Sequence, residues 1–320
     1  MASYRVAAWQ YVIDKFNAEN PDIEVVQEAI LWSDAMPKML SATQANTLPD
    51  INQVADAQWS TTYLAGALLP VDDIYEEVDA EQKIYPDSGK SYELDGHKWV
   101  VPISSNAFTV VYRPSMLQEL GYDKFPETWS EFEKYLADVT LDEDGDGVPE
   151  RYGIALSGAR CTEGSDTFLA FLASFNNGIF DQDGNVNFNN PATIRTTDYV
   201  ANTLMKQYAP PNILSMDPGE MIMNFNSGNA ATMIFLFHDL VTAYEEGVKD
   251  IALAPVPRPD DASPEDQYAL LTNHGLSVTK AAEDPARFEA CKRFVKFATQ
   301  PENTWVLSCA QGSTTRALLP

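Results

Sequence analysis

An acidic loop at residues 142–147 is the part of the sequence whose residue types and spacing most directly suggest metal chemistry. It reads Asp-Glu-Asp-Gly-Asp-Gly, so Asp142, Asp144 and Asp146 place carboxylates at positions 1, 3 and 5, with glycine at position 6. This spacing opens the calcium loop of EF-hands. Position 12 is Gly153 rather than glutamate, which excludes an EF-hand. Two interpretations stay open: a structural Ca²⁺ site, or a solvated Asp/Gly turn.

Catalytic motifs are missing from the sequence. The histidines His97, His238 and His274 are scattered, and no cysteine–histidine pair has metal-ligand spacing. No Gly-x-Ser-x-Gly elbow, P-loop, Rossmann glycine fingerprint or His-Glu-x-x-His appears. Carboxylates are plentiful, however, and a glycoside hydrolase needs only a suitably placed pair of them. The residues therefore favour a protein that is not an enzyme and needs no cofactor, with a glycosidase as the enzymatic alternative.

Polar and aromatic residues follow a predicted strand at Ile51–Ala55. Asp56 comes directly after it, and Gln58 and Trp59 are close behind. A carboxylate or amide makes directional hydrogen bonds to ligand hydroxyls, and an aromatic face stacks on the apolar face of a sugar ring. These residue types are therefore suited to hold a ligand. The alternative for Asp56 is that it caps the following helix.

Two further candidates lie beside other predicted strands. Trp32 follows the predicted strand Ile23–Gln27, where it is either a stacking platform or a core residue. Asn106 ends a Ser-Ser-Asn step between the predicted strands Lys98–Pro102 and Ala107–Tyr112. Since a polar step between two apolar strands has no evident role in a core, we predict that Asn106 contacts a ligand.

Helical and strand patterns alternate along the chain, which predicts an α/β fold. Val6, Trp9, Val12, Ile13 and Phe16 have helical spacing within residues 5–19. Thr-x-x-Glu at residues 128–131 is a capping box that predicts another helix start. These elements would carry the candidate ligand contacts on a packed scaffold.

Composition narrows the classes of partner. The chain has 320 residues, enough for two domains, and 47 acidic against 21 basic residues give a net charge of −26. A nucleic-acid partner is excluded because it requires basic patches. No apolar run reaches eighteen residues, and the N-terminus lacks the pattern of a secretory signal.

The order of the elements resembles the extracellular solute-binding proteins that serve carbohydrate ABC transporters, the maltose-binding-protein-like group. Each matching stretch is weakly specific alone, but their collinear order covers nearly the whole chain. They are Phe16–Val25 (FNAENPDIEV), Leu48–Ile51 (LPDI), Gly66–Asp73 (GALLPVDD), Leu94–Gly96 leading to Val101-Pro102, Val111–Arg113 (VYR), Pro126–Phe132 (PETWSEF), Arg151–Gly153 (RYG), Phe225–Ala231 (FNSGNAA), Ala254–Pro257 (APVP) and Phe294–Phe297 before Gln300–Asn303.

The resemblance implies a two-lobe, periplasmic-binding-protein-like (class II) fold with a hinge of crossover strands. Lobe 1 would be residues 1–107 plus 268–320, and lobe 2 residues 108–267. Compared with the family pattern, the chain is expected to lack the first strand and the last helices. The family is extracellular or periplasmic, and the full-length form is expected to be lipid-anchored.

The resemblance also implies a function and site residues, and it predicts that Asp56 hydrogen-bonds the ligand. The chain is expected to bind a sugar or oligosaccharide between its lobes, as a monomer, and to deliver it to an ABC permease. Arg160 would reach the ligand from a loop after a strand, Phe237 and His238 stand where relatives carry a large aromatic residue, and Asn273 and His274 lie in a second crossover strand. Arg160 as a surface residue and His274 as a structural histidine are the alternatives.

Rival ligands and roles remain. A polyamine would need several carboxylates in an aromatic box, which Asp56 with Trp32 or Trp59 leaves open. A peptide or a metal chelate is a further alternative, and so is a scaffold role without any ligand. An anionic ligand would need convergent basic residues, of which Arg160 is the only candidate. A neutral sugar is therefore favoured.

Overall fold

The chain divides into two compact units. A computed structural model describes residues 3–30, 32–84, 86–159, 162–173, 185–236, 244 and 247–308. Unit 1 comprises Met1–Asn106 and Thr272–Pro320, and unit 2 comprises Ala107–Leu271. The chain therefore passes from one unit to the other after Asn106 and returns after Leu271.

Helices and strands alternate in both units, as the sequence predicts. In chain order the elements are α1 (Ser3–Glu19), α2 (Trp32–Ala45), β1 (Ile51–Ala55), α3 (Trp59–Leu64), α4 (Asp72–Gln82), α5 (Pro86–Lys90), β2 (Glu93–Leu94), β3 (His97–Lys98), β4 (Val101–Tyr112), α6 (Pro114–Glu119), α7 (Trp129–Val139), β5 (Tyr152–Ala155), α8 (Thr162–Ala173), α9 (Pro191–Asp198), a π-helix (Tyr199–Tyr208), α10 (Pro218–Ser227), β6 (Ala230–Leu236), β7 (Ala252–Ala254), β8 (Leu271–Val278), α11 (Pro285–Ala298) and α12 (Pro301–Ser308). Short 3₁₀ turns occur at Ile213–Ser215, Pro264–Asp266 and Lys280–Ala282.

The sheet of unit 1 is built on β8. β1 pairs with β8 in antiparallel register from Ile51↔Val278 to Ala55↔His274. On its other side β8 lies next to β4. Helices α1 and α11 cover this sheet through a cluster of aromatic rings, in which Phe16 packs edge-on against Phe294 at 5.2 Å and Phe297 at 5.3 Å. The helical spacing read from residues 5–19 is confirmed, since Trp9, Val12, Ile13 and Phe16 are all buried.

The predicted strand Ile23–Gln27 is wrong, because this segment forms no strand in the structure. The backbone of Val25 is instead taken up by a side chain of α1. Asn17 Nδ2 donates to the Val25 carbonyl at 2.9 Å, and Asn17 Oδ1 accepts from the Val25 N–H at 2.9 Å. A cavity of about 740 Å³ is lined by residues of this segment and by Pro49–Gln53, at the N-terminal side of β1. Local β-propensity is overridden here by the side-chain hydrogen bonds.

Unit 2 is organised around β6. β6 pairs antiparallel with the second half of β4, from Phe108↔Leu236 to Tyr112↔Thr232, and parallel with β5. The short strand β7 pairs with β4 as well. The capping box predicted at residues 128–131 is present at the start of α7. At the start of α7, the Trp129 ring stacks on the Tyr199 ring with their centroids 4.0 Å apart, and Trp129 Nε1 donates to the Pro257 carbonyl at 2.9 Å.

β4 is one continuous strand that belongs to both units. The sequence predicts two strands separated by the Ser-Ser-Asn step, yet Ser104, Ser105 and Asn106 lie inside the strand. Strand geometry tolerates them because side chains alternate between faces and can find polar partners there. Across the part of the chain that the structure describes, no helix has the length and apolar character required to cross a lipid bilayer.

Candidate functional site

A polar cluster in unit 1 forms where β1 ends. Asp56 extends the β1–β8 ladder by one residue, because its N–H donates to the Asn273 carbonyl at 2.9 Å. In return, the Asn273 N–H donates to Asp56 Oδ2 at 2.8 Å, and Asn273 Nδ2 approaches the same oxygen at 3.3 Å. The pairing of β1 with β8 therefore fixes the position of this carboxylate.

Serine hydroxyls from two other elements complete the cluster. Ser105 Oγ, on β4, donates to Asn273 Oδ1 and lies 2.9 Å from Ser88 Oγ, on α5. Asn273 Nδ2 also lies 3.5 Å from Ser91 Oγ. Together with Tyr92, these residues make up what we call the Asp56 cluster: Asp56, Ser88, Ser91, Tyr92, Ser105 and Asn273.

Burial sets the electrostatics of the cluster. The side chain of Asp56 is only partly exposed, and this burial raises the pKa of its carboxyl above the ordinary value of 3.8. Hydrogen bonds from Asn273 and from the Ala57 N–H act in the opposite direction. Burial, and then the charge of Asp56, raise the pKa of Tyr92 well above that of an ordinary phenol. The Tyr92 hydroxyl is buried and makes no hydrogen bond to any described residue.

Asp56 does not cap the following helix, which was the alternative role considered for it. α3 begins at Trp59, and the residue in the cap position is Gln58, which makes no capping hydrogen bond through its side chain. The carboxylate of Asp56 is directed to β8 instead. Trp59 is buried edge-on against Tyr92 at 6.2 Å, in a small apolar group under the cluster. Trp59 therefore supports the cluster from the core side.

The remaining predicted residues are not brought into this cluster. His274 follows Asn273 on β8 and, by strand alternation, faces the other side of the sheet, where it lines the 740 Å³ cavity. Asn106 follows Ser105 on β4 and is fully buried. Trp32 is the first residue of α2, and its side chain is not among those described. Arg160, Phe237 and His238 lie outside the described residues.

Four members of the cluster are not among the predicted site residues: Ser88, Ser91, Tyr92 and Ser105. Ser105 enters the sequence argument only as part of the polar step before Asn106. Ser88, Ser91 and Tyr92 belong to a short helix and the residues after it, where a single sequence carries no strand pattern. No signal in the sequence alone points to them.

The acidic loop lies in unit 2, between α7 and β5. One carboxylate oxygen from each of Asp142, Asp144 and Asp146 lies within 4.8 Å of the others, and all three residues are exposed. Backbone N–H groups of the loop already donate to these carboxylates, as in Gly145 N to Asp142 Oδ1 at 2.8 Å. Glu150 Oε2 accepts from the Glu143 N–H at 2.8 Å, which brings a fourth carboxylate to the loop. The donor set suits a hard, oxygen-seeking cation.

Chemically, the Asp56 cluster can hold hydrogen-bonding groups of a ligand. A carboxylate, an amide and several hydroxyls are the groups that bind a polyhydroxylated solute.

A family of known proteins matches nearly the whole chain. A family model described as bacterial extracellular solute-binding protein matches residues 2–305. The chain is 24% identical over 321 residues to the putative ABC transporter periplasmic-binding protein YcjN of Escherichia coli K12, covering 95% of this chain and 68% of YcjN. The chain spans about two thirds of the length of the curated relatives that it matches.

Solved structures share the fold. UgpB from Mycobacterium tuberculosis, in complex with glycerophosphocholine, superimposes with a TM-score of 0.82 at 22% identity, over 98% of this chain and 79% of that one. Maltose-bound MalE3 from T. maritima superimposes with a TM-score of 0.81 at 20% identity, over 99% and 80%. The α/β fold expected for two-lobe binding proteins is thereby confirmed.

Proposed function

The chain belongs to the bacterial extracellular solute-binding protein family, and from that premise we propose that it binds a neutral, hydroxyl-rich solute, a sugar or polyol, without reacting with it. The observation that carries the proposal is the Asp56 carboxylate, fixed by β8 and still partly exposed. A carboxylate held in this way accepts hydrogen bonds from ligand hydroxyls with little loss of side-chain entropy.

The relatives support the choice of ligand class. The ligands bound in their structures include maltose, D-mannitol and glycerophosphocholine, all of which carry free hydroxyl groups. We propose further that the solute is passed to the permease of an ABC transporter, and that the protein acts outside the cytoplasmic membrane as a monomer. A net charge of −26 favours a neutral or cationic solute over an anion.

Thermal melting with a panel of maltose, D-mannitol, glycerophosphocholine and spermidine tests the ligand class. A solute present at 100 times its Kd stabilises the folded chain by about 2.7 kcal/mol, which raises the melting temperature measurably. We expect a shift with at least one of the three hydroxylated solutes. A shift with spermidine alone would contradict the sugar or polyol class and favour the polyamine alternative.

For the acidic loop we propose a structural Ca²⁺ site, with Asp142, Asp144 and Asp146 as ligands. Millimolar Ca²⁺ is expected to raise the melting temperature of the chain, and chelation to reverse the rise, because the ion neutralises three neighbouring carboxylates in the folded state only. Asp144→Asn should abolish the effect, whereas Asp123→Asn, an exposed aspartate outside the loop, should retain it. If Ca²⁺ leaves the wild-type melting curve and its calorimetric titration flat, the loop is a solvated turn.

A further inference from the structure

Both ends of the Asn273 amide, and the backbone of the same residue, make hydrogen bonds inside the Asp56 cluster. Its backbone N–H and its Nδ2 both face Asp56 Oδ2, its carbonyl accepts from the Asp56 N–H, and its Oδ1 accepts from Ser105 Oγ. The side chain is only 5% exposed. A ligand therefore has little access to Asn273 itself, although the neighbouring carboxylate remains partly open.

The position of Asn273 along the chain adds a second observation. Ser105 lies one residue before Asn106, after which the chain leaves unit 1, and Asn273 lies one residue after Thr272, where it returns. The Asn273 amide thus connects the outgoing strand, the returning strand and the carboxylate at the end of β1.

An amide suits both neighbours. The Asn273 side chain adds a donor to Asp56 beside the backbone N–H of the same residue, and it offers the Ser105 hydroxyl an acceptor; asparagine presents both on one rigid group. Aspartate has the same shape but presents two acceptors, so its second oxygen would face the Asp56 carboxylate as a like charge. Asn273→Asp therefore keeps the volume of the side chain and reverses one of its two interactions.

We infer that Asn273 is a positioning residue, which orients the Asp56 carboxylate toward the solute and ties it to the interior of β4 and the start of β8. The inference rests on the proposed function, because it takes Asp56 as a ligand contact. It assigns to Asn273 a role through another residue rather than a direct contact with the solute.

The test compares equilibrium titrations of wild type and variants with maltose, D-mannitol and glycerophosphocholine as probes. At pH 7.5, Asn273→Asp is expected to weaken the affinity for the bound probe at least tenfold. Ser105→Ala, which removes the donor to Oδ1, is expected to weaken it about threefold to tenfold. Ser277→Ala is the matched control: it removes a hydroxyl bonded to the Asn52 carbonyl, on the same face of β8 but farther along the strand, and should stay within twofold.

Titration at lower pH separates positioning from a general structural defect. In Asn273→Asp, the new carboxylate and Asp56 form a pair, and when that pair takes up one proton an O–H donor replaces the lost Nδ2–H donor. The variant should therefore regain affinity relative to wild type as the pH falls from 7.5 to 5. Tyr92, beside Asp56, does not titrate in this range, because burial raises its pKa well above that of an ordinary phenol. His274, next to Asn273 on β8, is present in both proteins, so the comparison with wild type removes its contribution. A purely structural loss would show no such recovery.

The outcomes are distinct. If the wild type binds and Asn273→Asp binds equally well at pH 7.5, the inference is overturned and the proposed function stands. The inference is likewise overturned if Asn273→Asp is weakened equally at every pH. A wild type that binds none of the probes contradicts the proposed function, and the inference with it.

Discussion

Replacing Asp56 by asparagine is expected to weaken solute binding roughly tenfold to 100-fold while leaving the fold intact. A hydrogen bond to a charged group contributes about 1.5–3 kcal/mol, and each 1.4 kcal/mol is a factor of ten in Kd. Asparagine still accepts a hydrogen bond from the Asn273 N–H, so the junction of β1 and β8 should survive. Calorimetric titration of wild type and variant with the solute that shifts the melting curve measures the change.

Asp56→Asn should maintain or raise the free energy of unfolding while it lowers the affinity for the solute. Because burial raises the pKa of Asp56, the folded chain holds that proton more tightly than the unfolded chain does. The contribution of Asp56 to stability is therefore complete below its ordinary pKa of 3.8 and is lost as the pH rises through the raised folded value. Asp56→Asn lacks this loss, so its free energy of unfolding at neutral pH should equal or exceed that of wild type.

A control variant and a pH series make the predictions for Asp56→Asn specific. Asp34→Asn changes an exposed aspartate in the first turn of α2; it should leave affinity unchanged and lower the free energy of unfolding by at most about 1 kcal/mol. Urea unfolding at pH 4, 5.5 and 7.5 compares the pH dependence of wild type and Asp56→Asn. Unchanged affinity in Asp56→Asn would remove this residue from the binding site, whatever the unfolding curves show.

Gly275→Ala is expected to be among the most damaging single-methyl additions in unit 1. A Cβ on Gly275 would lie 2.3 Å from Val100 Cγ1 and 2.7 Å from the Val101 carbonyl oxygen. Relief requires β8 to move away from the neighbouring backbone, since a carbonyl cannot rotate aside as a flexible side chain does. Overpacking of this kind costs typically 1–3 kcal/mol, and we expect a loss of about 3 kcal/mol in the free energy of unfolding.

The same displacement should impair binding. Gly275 lies two residues from Asn273 on β8, so a shifted strand carries the Asp56 cluster with it. Chemical unfolding and titration of one preparation measure both effects. Gly219→Ala, in α10 of unit 2, is the control: the new methyl would meet only Asp217 Oδ1 at 3.2 Å, and the free energy of unfolding should stay within about 1 kcal/mol of wild type. Wild-type stability in Gly275→Ala would contradict the close approach of β8 to Val100 and Val101.

Much of the fold was predictable because it depends on periodic patterns. The helical spacing of Trp9, Val12, Ile13 and Phe16 identifies the buried face of α1, and the capping box at residues 128–131 identifies the start of α7. The family resemblance is confirmed by the match over residues 2–305. The segment Ile23–Gln27 was wrongly predicted to be a strand. The Asn17 amide, on α1, pairs with the backbone of Val25, and no pattern within the segment reveals that contact.

The candidate site was predictable only in part. Asp56 is suggested by its place after a strand and Asn273 by the family resemblance, and the structure joins them by three hydrogen bonds. Tyr92 and the serines at 88 and 91 enter through the tertiary fold, which brings α5 and the residues after it to β8. His274 and Asn273 are neighbours in sequence, yet strand alternation places their side chains on opposite faces. Their adjacency in the sequence does not reveal that separation.

The central claim is that the chain binds a hydroxylated solute and releases it unchanged. The most direct measurement is a calorimetric titration with the solute that shifts the melting curve, followed by chromatographic recovery of that solute after prolonged incubation with substoichiometric protein. We predict saturable binding of about one solute per chain and complete recovery of the intact solute. Hydrolysed product, or no saturable binding by any sugar, polyol or glycerophosphodiester, would contradict the claim.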